Sequence, residues 1–227
     1  MSKIRNFFPG GNTCYGFYSF YDYMVSPAVE RKIILKGGPG VGKSSFMKKI
    51  GEDFLTQGHE VEYHWCSSDN ESLDGVVLGR HQICILDGTA PHVVDPRFPG
   101  AVDEIINLGD YWRQKSIRKN RPAVIELTQT ISRCFQRAYK RLAESKMAWE
   151  EWESYYQEAR DNEAANRNTL ALARDFVSGL DDGGQKIRHL FAAAITPGGV
   201  VSKIDSLIDS GYSLFAVKGN PGSGIKE

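Results

Sequence analysis

Between Pro122 and Gly179 the chain runs without a proline or glycine, and Val124, Leu127, Ile131, Phe135, Ala138 and Leu142 recur at threes and fours. That period belongs to a helix. As one rod the stretch would extend about 84 Å at 1.5 Å per residue, so a hairpin-like or broken helix is expected, with the polar residues 161–168 as the bend. Trp149, Trp152, Tyr155 and Tyr156 then fall on a second arm, apolar enough to pack on a neighbour or another subunit. Elsewhere the pattern shortens. Residues 31–35, 60–65 and 82–86 read as strands, 45–55 as an amphipathic helix, 189–195 and 212–217 as strands, and 201–210 as a short helix. Strands separated by helical stretches predict an α/β fold with a mostly parallel sheet flanked by helices, its ligand crevice at the strands' carboxyl ends. The aromatic residues of 4–24 are expected to pack against that sheet rather than form a base platform.

The predicted strand 31–35 and helix 45–55 bracket Gly37-Gly38-Pro39-Gly40-Val41-Gly42-Lys43-Ser44, a complete G-x-x-x-x-G-K-[ST] sequence. Strand, glycine loop and helix together are the context a phosphate-binding loop requires. The glycines let successive N–H groups curl around an anion, and the helix N-terminus adds its dipole. Gly38 through Ser45 are the expected nucleotide contacts, with Lys43 on the β- and γ-phosphates and the Ser44 hydroxyl on Mg²⁺. The strand at 82–86 ends in Asp87, where a carboxylate would complete the Mg²⁺ shell opposite Ser44. Gly88 follows, so the glutamate that many ATPases use to polarise water is missing. His92, Asp95 and Asp69 are the candidate bases, His92 taken first, with loop anchoring and helix capping as their bland alternatives. Arg133, Arg137 and Arg141, spaced by four, read either as a lid or, more commonly, as a solvated helix face.

The chain has 227 residues, enough for one α/β domain with an insertion, and 28 basic against 28 acidic residues. Zero net charge removes the global electrostatic case for nucleic acid. Four scattered cysteines without a C-x-x-C pair read as reduced thiols of a cytoplasmic protein, and no stretch approaches a membrane span. The five histidines make no ligand-spaced cluster, leaving Mg²⁺ as the expected metal.

Near the C-terminus Pro197-Gly198-Gly199 and Gly219-Asn220-Pro221-Gly222-Ser223-Gly224 repeat the order of Pro9-Gly10-Gly11 and the glycine loop, with Ile225 where lysine is required. With the first loop and the run 85–96 (ILDGTAPHVVDP), these residues resemble a family of uncharacterised bacterial ATPases built from two tandem P-loop halves. The resemblance implies a P-loop NTPase fold binding ATP. It divides the chain into a nucleotide-binding core (1–121), a helical insertion (122–180), a return to the core sheet (181–211) and a truncated start of a second half (212–227). Three readings follow: Mg²⁺-dependent ATP hydrolysis coupled to a partner through the long helices, a nucleotide or small-molecule kinase, and a nucleotide-gated binding module with little turnover.

Overall fold

A computed structural model describes residues 4–80, 82–90, 93–177, 187–208, 215 and 217–223. The strands are β1 (Ile4–Phe7), β2 (Gly10–Thr13), β3 (Gly16–Ser19), β4 (Arg31–Lys36), β5 (Val61–Trp65), β6 (Leu73–Leu78), β7 (Ile83–Asp87), β8 (Asp103–Asn107), β9 (Ala193–Thr196) and β10 (Gly199–Ser202). The α-helices are α1 (Lys43–Thr56), α2 (Gln114–Lys119), α3 (Arg121–Ala159) and α4 (Asn162–Val177). Six strands form one sheet in the order β1-β5-β6-β7-β4-β8. All its pairs are parallel except those of β6, which runs against β5 and β7. The sheet is therefore mixed, with three of its five pairs parallel.

Alternation along β4 sends Ile33 and Leu35 to one face and Ile34 to the other. Leu35 packs with Met47 of α1 and with Val61, Val76 and Ile85. Ile34 packs with Tyr21, Met24, Val29, Val77 and Leu86 on the opposite face. That second face is covered by the irregular segment carrying Tyr21, Met24 and Val29, and among the described residues no α-helix packs on it. Gly75 of β6 lies under Met24, whose Cε would stand 2.2 Å from an added Cβ.

The helical region is a broken helix, one of the two forms expected of it. α3 is a single 39-residue helix, and the break falls at Arg160, whose extended backbone (φ −75°, ψ 129°) separates it from α4. Of the expected bend 161–168 only Asp161 lies in the break, and 162–168 are helical. Trp149, Trp152, Tyr155 and Tyr156 belong to α3, where all four are partly exposed. Among the described residues no helix is long and apolar enough to cross a membrane.

Among the described residues the C-terminal strands do not re-enter the main sheet. β9 and β10 form a hairpin of their own, and a 3-10 turn (Ile204–Leu207) stands where a short helix was expected. The expected strand 212–217 and the end of the second glycine loop lie largely outside the described residues. The hairpin β9–β10 copies β2–β3 residue for residue. Gly10 pairs with Ser19 and Thr13 with Gly16, as Ala193 pairs with Ser202 and Thr196 with Gly199. Thr13 Oγ1 donates to Gly16 O at 2.7 Å, and Thr196 Oγ1 to Gly199 O at 2.8 Å. Gly16 and Gly199 share a left-handed backbone, φ 101° and 105°. The matching sequences begin Ile4-Arg5 and Ile187-Arg188, so the correspondence is Thr13-Cys14-Tyr15-Gly16 with Thr196-Pro197-Gly198-Gly199, not one Pro-Gly-Gly with the other. Phe8 and Phe191, equivalent by the same count, exchange both backbone hydrogen bonds (2.9 and 3.1 Å), so the copies meet about a local two-fold. Arg5 and Arg188 converge on one carboxylate, Glu62, at 3.7 and 2.8 Å.

Candidate functional site

The glycine loop leaves β4 at Lys36 and enters α1 at Lys43. Gly40 (φ 79°) and Gly42 (φ 90°) hold left-handed backbone with nothing near the position of a Cβ, which suits a loop that wraps an incoming group. No side chain caps the N-terminus of α1. Its first N–H groups therefore remain available to an anion.

Lys43 is buried and folds back onto its own loop. Its ammonium donates to Gly37 O at 2.6 Å and Gly38 O at 3.0 Å, and stands 3.4 Å from Asp87 Oδ2. Asp87 reaches this position because β7 lies directly beside β4, with Leu35 and Asp87 as register partners. Its other oxygen accepts from Thr89 N at 2.8 Å, and Thr89 Oγ1 donates to Gly37 O at 2.9 Å. The loop after β7 is thus fastened to the glycine loop at its base. Ser44 Oγ accepts from Leu73 N at 3.0 Å, which fixes the hydroxyl and leaves a lone pair. Ser45, Pro39 and Gly40 are exposed and Val41 half-buried along the same turn. Trp112 lies over Gly38, its ring 3.0 Å from where a Cβ would stand.

The remaining candidates separate. Asp95 is exposed and pairs with Lys36 at 3.3 Å, while Lys36 also donates to Gly88 O and Val94 O at 2.8 Å. That carboxylate anchors a loop. Asp69 accepts from Ser72 Oγ at 2.6 Å and Glu71 N at 3.3 Å, closing the turn into β6 rather than capping a helix. His92 lies outside the described residues. Arg133 donates to Thr130 and Arg141 pairs with Glu144, both on their own helix, as on a solvated face. Arg97 pairs with Asp22 at the surface. Cys66 and Cys84 are buried, and burial pushes both thiols up to about 12. Among the described residues no group of three His, Cys, Asp or Glu could hold a metal.

Asp74 escaped the sequence reading. It lies on β6 one step beyond the Gly75–Leu86 pair, across the sheet from Asp87. Burial raises its carboxyl to about 7, against hydrogen bonds from Tyr21 and Cys66, with Asp87 and Asp69 adding repulsion. A lone acid beside the apolar run 76–78 was its signal, masked by the neighbouring glycine.

Beside the loop opens a cavity of about 920 Å³. Pro39, Ser68, Thr89 and Ala90 form its floor, following β4, β5 and β7, three strands that share one direction. It therefore lies at the carboxyl ends of the strands, the position at which open α/β sheets hold ligands. The floor residues Pro39 and Thr89 belong to the glycine loop and to the segment tied to it. No known family, curated protein or solved structure matches this chain.

Proposed function

We propose that this chain is an ATP-binding P-loop NTPase that hydrolyses ATP with Mg²⁺ in the cytoplasm and passes its nucleotide state to a protein partner or a second copy through its long helices. One observation carries the reading. The Lys43 ammonium sits on the Gly37 and Gly38 carbonyls, 3.4 Å from a carboxylate at the end of the adjacent parallel strand. A buried cation held by its own loop, before an uncapped helix N-terminus, is an arrangement a triphosphate completes. The residues present fit such a group.

Lys43 would exchange the two carbonyls for β- and γ-phosphate oxygens, and the N–H groups of Gly40 to Ser45 would take the remaining phosphate oxygens. Ser44 and Asp87 would hold Mg²⁺, which supplies charge neutralisation on the phosphates when bound. Asp87 would then exchange its contact with Lys43 for the metal. Gly88 accounts for the absent glutamate, because an added Cβ would lie 2.4 Å from Ile34 and 2.9 Å from the Val94 carbonyl. No side chain fits there without moving the core. Turnover by the isolated chain is accordingly expected to be slow, with water activated by a group the sequence does not place after Asp87.

The test is equilibrium dialysis of ATP with Mg²⁺. Lys43→Ala is expected to lower affinity at least a hundredfold with an unchanged circular dichroism spectrum, and an unaltered affinity sinks the assignment. Asp87→Asn is expected to weaken Mg²⁺ dependence more than binding of metal-free nucleotide; an equal loss of both would make Asp87 structural. Phosphate release from the wild type, blanked against Lys43→Ala, separates hydrolysis from binding alone. The cavity beside the loop favours a second reading, transfer to an organic acceptor.

A further inference from the structure

Of the aromatics on the cavity's walls, Phe17 also packs against the core beneath Tyr21 and Met24, whereas Tyr15 stands out from it. One wall is the tip of the β2–β3 hairpin with Tyr15 and Phe17, and the other is the Thr128–Ala143 stretch of α3 with Ile131, Phe135 and Tyr139. The second hairpin supplies an internal control, since it builds the same turn with Gly198 and Val200 where the first carries Tyr15 and Phe17. The turn is held by the threonine and glycine that both copies share, so the aromatics on the first are not there to make it. Tyr15 is nonetheless 81 % exposed on the cavity wall, with the Lys146 ammonium over its ring at 5.6 Å.

The polar groups of the cavity are placed as well as present. The Tyr139 hydroxyl is fixed by donation to Asn12 Oδ1 at 3.2 Å, and Asn12 is itself locked by donation to Ser67 O and Ile195 O. The Tyr139 oxygen is left to accept from a ligand. Lys140 lines the same wall and has no carboxylate partner among the described residues. An aromatic-walled cavity within the usual size range of small-molecule sites, with a fixed hydroxyl and an ammonium that no carboxylate meets among the described residues, selects for a particular chemistry.

We propose that this cavity is a second ligand site, contiguous with the glycine loop, for an amphipathic organic molecule that carries fused or aromatic rings and one anionic group. The rings stack against Tyr15, Phe135 and Ile131, and the anion pairs with Lys140. Its communication with bound nucleotide, through Pro39 and Thr89, rests on the function proposed above, whereas the cavity's own chemistry does not.

The probe is 8-anilinonaphthalene-1-sulfonate, whose fused rings and sulfonate belong to this class, titrated into the full chain by fluorescence. Tyr15→Gly, which installs the residue the second hairpin carries there, and Ile131→Glu are each expected to weaken binding at least tenfold. Lys140→Ala is expected to weaken it three- to tenfold, and Trp152→Ala, in the separate aromatic stripe of α3, to leave it unchanged. Equal affinity in the wild type, Tyr15→Gly and Ile131→Glu overturns the assignment, as does loss confined to Trp152→Ala. Mg²⁺ and ATP are expected to shift the probe's affinity at least threefold in the wild type and not in Lys43→Ala. No shift despite ATP bound in dialysis overturns the contiguity of the sites. Tight probe binding by a chain that binds no ATP supports the cavity and overturns the nucleotide reading.

Discussion

Two buried carboxyls depart from their ordinary range in opposite directions, and each carries its own pH window. For Asp74, burial raises the folded value from 3.8 to about 7. Between those values the folded chain holds a proton that the unfolded chain has released, so this contribution to stability is full below the lower value and falls as pH rises through the upper. Asp74→Asn mimics the protonated acid. It is expected to be more stable than the wild type at pH 8, by on the order of 2–4 kcal/mol at about 1.4 kcal/mol per unit, and equal to it near pH 4. Urea midpoints at the two pH values check this, and an equal difference at both removes the titration from the account. For Glu62, burial alone would raise the carboxyl, but hydrogen bonds from His64 and Arg188 outweigh it and hold it down to about 2. Its stabilising contribution is present above the ordinary value of 4.5 and disappears as pH falls toward about 2. Glu62→Gln should therefore narrow its stability deficit between pH 6 and pH 2.5, and a constant deficit would assign the loss to packing alone.

α3 extends about 58 Å at 1.5 Å per residue and buries none of its residues fully. The hydrogen bond from Tyr139 to Asn12 is one tie between it and the sheet domain. Tyr139→Phe is expected to cost about 0.5–1.5 kcal/mol by denaturant titration and to speed proteolytic cutting within α3. Unchanged cutting would show that other contacts hold the helix. The elements that carry the candidate site were the ones legible in the sequence, because β4, α1, β5 and β7 pair clear apolar periodicity with glycine or acid punctuation. β6 was not, since Asp74 and Gly75 look like a turn in Leu73–Leu78; both are there for tertiary reasons, the acid beneath Tyr21 and the glycine beneath Met24. β1 and β8 lie at the sheet's edges and keep polar residues that blur their alternation. The break between α3 and α4 falls at the leading edge of the polar stretch expected to bend, at Arg160 and Asp161, because the polar residues after it are ordinary helix surface. The glycine loop and Asp87 were readable by spelling, whereas the Lys43 contacts, the β4–β7 adjacency and the cavity exist only once strands distant in sequence have paired.

At the scale of the whole molecule, ligand binding and stability are linked. ATP and Mg²⁺ at a hundred times the dissociation constant should add about 2.7 kcal/mol to the folded state, seen as a rise in melting temperature that Lys43→Ala lacks. A matching rise in both proteins would place the nucleotide elsewhere. The reversal of β6 has a further consequence, in the order in which the sheet assembles. Because β5, β6 and β7 run as a meander through short connections, 66–72 and 79–82, their pairings close small loops, whereas β4 meets β7 only across the whole of α1 and two strands. Small loops cost the least entropy to close and tend to form first. The amides of β5, β6 and β7 should accordingly become protected in pulsed hydrogen exchange before those of β4 and β8. The glycine loop would then acquire its shape late, when β4 docks against a ribbon already in place and Asp87 waits at its end.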